Sequence, residues 1–90
     1  MIEPKNATER AQLENSKRLI GLLAEERDAQ LTFRAMALGF QKATPEQLAS
    51  AKRAYIDANA KVAALIPRAT DALITYFAMI EKQRQEMHLS

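Results

Sequence analysis

Glu25-Glu26-Arg27-Asp28 is the place in this chain where chemistry-bearing side chains crowd most closely. Three carboxylates around a cation suggest a metal site or a general acid–base pair. Such sites need ligands converging from several elements, typically with histidine at helical spacing. Four consecutive helical residues point in four directions, about 100° apart, and the only histidine is His88, near the C-terminus. The tetrapeptide therefore reads as a charged helical turn. Arg27 is the member most in phase with an apolar stripe, which makes it the expected semi-buried polar residue. No catalytic, cofactor-binding or metal-ligating set is predicted.

A second cluster is basic: Lys42, Lys52, Arg53, Lys61 and Arg68. Phosphate backbones are held by dense Lys/Arg patches, but here Arg53, Asp57 and Lys61 alternate in sign at a spacing of four. That pattern belongs to a solvated helix face. Thr44-Pro45-Glu46-Gln47-Leu48-Ala49 resembles the opening of helix-turn-helix units, yet no glycine turn and short recognition helix follow. A nucleic-acid-associated helical protein is an alternative reading. The third cluster is Tyr76-Phe77 with Met79. Adjacent aromatics on a helix cannot both face one narrow core, so one is expected to meet a second surface, and a tyrosine suits a contact that leaves its hydroxyl wet. Phe33, Phe40, Tyr76 and Phe77 are the candidate interface residues, with Tyr76 or Phe77 as anchor.

The elements that must carry these groups are read from the helix breakers. Only 2 glycines and 3 prolines occur in 90 residues, so each has positional meaning. Gly39, Pro45 and Pro67 separate long stretches rich in Ala, Leu, Lys, Arg, Glu and Gln, the residues that lose least on entering a helix. The chain is predicted to be all-α, a small three-helix bundle with a long first helix, and one domain: a disordered leader over 1–5 and helices over 6–38, 45–66 and 69–87. Asn6 with Glu9 fits a capping box at the first helix. Gly39 suits a left-handed stop, with Phe40 expected to fold back on the last turn. Thr44-Pro45-Glu46-Gln47 combines an N-cap threonine, proline at the first helical position and a second capping box.

Pro67 allows two topologies. A kink would give a two-helix hairpin. A break, with Thr70 capping a third helix, would fold Leu73 to Ile80 onto the apolar face of the first helix. The break is the preferred reading, because a straight hairpin would lay Ala72 to Ile80 against the polar stretch Glu9 to Ser16.

The first helix carries two adjacent stripes at a period near 3.6: Leu13, Ile20, Ala24, Leu31, Ala35, Leu38, and Leu19, Leu22, Ala29, Phe33, Met36, Phe40. Together they form a face wide enough for two neighbouring helices. The expected core is Ile20, Leu31, Leu38, Tyr55, Val62, Leu73 and Ile80, so that aspartate at Leu31 or Val62 is expected to unfold the chain.

Leu19-Ile20-Gly21-Leu22-Leu23-Ala24-Glu25-Glu26-Arg27 is similar to the first helix of the all-helical chorismate mutases. The resemblance implies a three-helix layout and, as an alternative function, a divergent mutase-like enzyme. In it, Arg10 and Arg27 would stand for the two first-helix arginines that bind substrate carboxylates. The chain departs from that pattern where a lysine is expected and Leu38 stands, and no Arg-Glu pair occurs in helix two. A dianionic substrate would lack its clamp.

Composition narrows the remaining classes. Cysteine is absent, so disulfides and thiolate metal sites are excluded. The net charge is +2, and the surplus lies after residue 38 without any basic run. No stretch approaches the ~20 apolar residues of a membrane span, and the start Met1-Ile2-Glu3-Pro4 is not that of a signal peptide. A cytoplasmic, non-enzymatic protein–protein interaction module is expected: an adaptor, regulator, chaperone or inhibitor with a protein partner or a second copy of itself. A homodimer is favoured because a first helix near 50 Å long, at ~1.5 Å per residue, exceeds what so short a chain can cover.

Overall fold

The computed structural model describes residues 7–89, with side-chain surroundings through Met87. The chain is a three-helix bundle: α1 (Ala7–Ala37), α2 (Pro45–Ala63) and α3 (Arg68–Leu89). The expected leader and the Asn6 cap lie outside the described residues.

Both seams between helices are local chemistry made visible. Gly39 has φ 82°, the left-handed conformation that ends α1. Its N–H donates to the Met36 carbonyl, and the Gln41 N–H reaches back to Ala35, so carbonyls of the last turn are not left bare. Phe40 does not fold back; it is 74% exposed, since the chain leaves the helix there toward Thr44. Thr44 then caps α2 with a complete box. Its hydroxyl accepts from the Gln47 N–H at 3.1 Å, and Gln47 Oε1 accepts from the Thr44 N–H at 2.9 Å.

Thr44→Ala is expected to lower stability by ~1 kcal/mol. A Cβ at Gly39 would meet nothing within 4 Å, so any penalty there is purely conformational. Left-handed geometry costs an ordinary residue about 1–2 kcal/mol, and a β-branched one is a genuine outlier there. Gly39→Val should therefore destabilise more than Thr44→Ala in urea unfolding, and equal, negligible effects would mean that neither seam ends a helix.

Pro67 breaks the helix. The last turn of α2 tightens, with the Leu65 and Ile66 N–H groups both donating to the Val62 carbonyl. Pro67 directly precedes Arg68, where a missing N–H is of no consequence. Thr70 lies inside α3 rather than capping it, because the helix starts at Arg68, three residues before the Asp71 start that a Thr70 cap implies.

α2 runs antiparallel to α1, in a register marked by Tyr55 beside Gln30, Asn59 beside Glu26 and Lys61 beside Glu25. α3 turns back along α2 and reaches the C-terminal end of α1. The main core lies there: Phe33, Leu38, Ala51, Tyr55 and Ile80 are buried, with Met36, Leu48, Leu73, Tyr76 and Phe77 packed against them. Val62 and Ala58 are also buried, nearer the other end of α2.

Two members of the expected core are not in it. Ile20 is 68% exposed and Leu31 49%. α1 has 31 residues, about 46 Å at ~1.5 Å per residue, whereas α2 has 19. Two shorter helices cannot cover both of its stripes. Residues 7–18 are exposed throughout, and the molecule measures 59 × 22 × 22 Å. Its radius of gyration is 17.0 Å, against about 13 Å for a compact chain of ~100 residues.

Candidate interaction surface

Leu19, Leu22, Ala29, Phe33 and Met36 form the face of α1 that turns toward α2 and α3; Phe33 is buried and the others are half-buried. At 3.6 residues per turn, the stripe Leu13, Ile20, Ala24, Leu31 lies about 175° around the helix from that face. All four of its residues are exposed. The expectation of two adjacent stripes merged into one wide face is therefore corrected: the helix is apolar on two nearly opposite sides, and the chain itself uses one. Leu23, also exposed, widens the free side.

Arg27 falls on the free stripe between Ala24 and Leu31 and is exposed, so the expectation of a semi-buried Arg27 is corrected. It was in phase with an apolar stripe, but with the one that faces solvent. The half-buried member of the charged turn is Glu26. Its Oε2 accepts at 2.9 Å from Nδ2 of Asn59, which is only 3% exposed. The same amide nitrogen donates to the Ala69 carbonyl at 2.8 Å, so one side chain of α2 ties α1 to the start of α3. Asn59 was not singled out by its sequence. The available signal was its place beside Ala58 and one turn from Tyr55 and Val62, a polar residue on an apolar stripe. Lys61 bonds Glu25 of α1 at 3.1 Å rather than Asp57 of its own helix.

The four candidate interface aromatics separate into two groups. Phe33 is a core residue, and the contact role expected of it gives way to packing within the chain: its ring lies 6.4 Å from Tyr55 and 5.3 Å, edge-on, from Phe77. Tyr76 and Phe77 are half-buried in the same cluster, at 5.6 and 5.5 Å from Tyr55. Lys52 lies over the outer face of Phe77, 5.1 Å from its centroid, a cation–π contact. Phe40 alone stands free.

Burial pushes the Tyr55 phenol above its usual 10.0; the Gln30 amide, donating at 3.2 Å, opposes the shift and Glu26 adds to it. Tyr76 is raised as well, chiefly by burial, with Arg34 opposing. Both neutral phenols are thus favoured by folding. Their contribution is complete below pH 10, where the unfolded chain is also neutral, and is lost as pH rises above 10 because the unfolded state releases its protons first. The melting temperature of the wild type should fall more steeply above pH 10 than that of a Tyr55→Phe, Tyr76→Phe double variant. Parallel curves would contradict this assignment.

A shallow groove between the end of α1 and α3 is lined by Arg34, Leu38, Phe40, Gln83, Glu86 and Met87. Gln83 Oε1 is buried beside it without a hydrogen-bond partner among the described residues. Among the described residues, no three His, Cys, Asp or Glu side chains come together as metal ligands, and no helix is long and apolar enough to cross a membrane. Arg10 and Arg27 are both exposed on α1, about 25 Å apart at ~1.5 Å per residue. No protein-family model, curated protein or solved structure matches the chain.

Proposed function

We propose that this chain is a non-enzymatic protein–protein interaction module whose working surface is the free face of α1. One observation carries the reading: a 31-residue helix presents a second apolar stripe, Leu13, Ile20, Ala24 and Leu31, on the side opposite its own core. Scattered surface leucines need no explanation, but apolar residues aligned along an exposed helix are the pattern of helix-to-helix recognition. The core lies toward the C-terminal end of α1, at Phe33 and Leu38, and leaves the stripe in the open. The chain then acts by surface complementarity, as an adaptor, regulator, chaperone or inhibitor does.

The test is a pair of affinity captures from the cells of origin, with the wild-type chain and with Ile20→Glu as baits. Ile20 makes little contact within the chain, so the variant should melt like the wild type. Proteins held by the wild type and lost with Ile20→Glu are expected, untagged copies of the chain among them. An identical set on both baits would overturn the reading.

A further inference from the structure

We propose that the occupant of this face is a second copy of the chain, with the two α1 helices packed antiparallel along their full length. The inference rests on the reading of α1 as an interaction surface and names its partner. The argument starts from the midpoint of the helix. α1 spans Ala7–Ala37, so full antiparallel overlap sets residue 22 over residue 22. That register places Leu13 opposite Leu31 and Ile20 opposite Ala24, each pair formed twice about the dyad. Every apolar residue of the free stripe meets another, although overlap alone chose the register.

The residues beside the dyad agree. Leu23 of one copy lies within two residues, about 3 Å at ~1.5 Å per residue, of the level of Leu23 of the other on one flank. Gly21 stands in the same relation to its counterpart on the opposite flank. A glycine inside an exposed helix is destabilising by about 1 kcal/mol against alanine, and beyond its own helical turn none of the described residues lies within 4 Å of where its Cβ would be. A neighbouring backbone in the dimer gives it a place.

Charge selects the direction. In a parallel pair, Lys17, Arg27 and Arg34 would each stand beside themselves. In the antiparallel pair, Lys17 comes within about one residue of Asp28 of the second copy, twice, on the same flank. Neither side chain is in an ion pair with another of the described residues. Lys17 and Arg27 of the second copy share a layer but lean to opposite flanks, where their long stems cover apolar surface and their charges stay in water. The arm 7–18, exposed throughout in the single chain, lies along residues 26–37 of the other copy. α2 and α3 of each protomer remain on the outside.

The chain has no cysteine, so introduced ones report cleanly. Leu13→Cys, Leu31→Cys, the double variant and a mixture of the two singles are oxidised or treated with a short bis-maleimide at several concentrations. Covalent dimers are expected from the double variant and from the mixture. Each single alone should give few, since its two sulfurs would lie about 27 Å apart along the pair at ~1.5 Å per residue. Efficient cross-linking of either single alone would overturn the antiparallel register. No cross-link in any combination would overturn the second copy as occupant. If host proteins other than the chain are still lost with Ile20→Glu in the paired captures, α1 remains an interaction surface for another partner. If the captures are also identical, both readings fall.

Discussion

Val62→Asp is expected to leave the chain largely unfolded at room temperature, while Leu31→Asp leaves the monomer folded. The two valine and leucine positions look alike as sequence, each an aliphatic residue in a helical stripe. In the fold, Val62 is 1% exposed and Leu31 is half open to water. The antiparallel register of α2 brings Val62 to the level of residues 23–24 of α1, beyond the Asn59–Glu26 bond toward the open end of the helix pair. A carboxylate there would share the buried side of α2 with Tyr55, Ala58 and Asn59. An uncompensated buried charge costs about 3–5 kcal/mol, and a small domain has only about 5–15 kcal/mol in total. At Leu31 the carboxylate reaches solvent directly, and a surface change of that kind is usually within about 0.5 kcal/mol. Far-ultraviolet circular dichroism of both variants at 25 °C checks the pair. Loss of helix in both would place Leu31 back in the core.

Phe33→Ala is the second large effect, expected at about 3–5 kcal/mol. Phe33 is the single residue of α1 that touches both other helices through aromatic contacts, to Tyr55 of α2 and Phe77 of α3. Removing it opens a cavity whose walls are large, mutually packed rings, which collapse poorly. Edge-on pairs of this kind also contribute about 0.5–1.5 kcal/mol beyond their buried area. Phe40→Ala, at an exposed ring only seven residues further on, is expected to leave the urea midpoint nearly unchanged. A small effect at Phe33 would mean that α3 does not rest on α1.

The parts of this fold that were legible in sequence are those decided within one turn of chain. The Thr44–Gln47 box, the left-handed Gly39 and the break at Pro67 each depend on the conformational limits of one or two residues, and those limits act in any context. The three-helix layout followed from them. What sequence could not decide was the choice between the two stripes of α1. Both have the same period and similar composition, so periodicity alone cannot say which one α2 and α3 will cover. The choice depends on the length of α2, the aromatic cluster and the turn at Pro67 acting together.

The misplacement of Ile20, Leu31 and Arg27 follows from that one ambiguity. Asn59 and Glu26 were missed for a different reason. A buried polar pair is specified by two residues 33 apart in sequence, and neither has meaning without the other. Lys61 illustrates the same point at the surface. Its spacing from Asp57 suited a bond within the helix, but Glu25 of α1 lies within reach once the helices pack.

Sedimentation equilibrium of the wild type and Ile20→Glu, run side by side over a wide concentration range, tests most directly whether the free face of α1 joins two chains. The wild type should rise from the 10.1 kDa of one chain toward twice that mass as concentration increases. Ile20→Glu should remain at the mass of one chain with the same helix content. A wild type that stays at the single-chain mass throughout would contradict self-association through α1, and equal self-association of both proteins would place the contact elsewhere on the molecule.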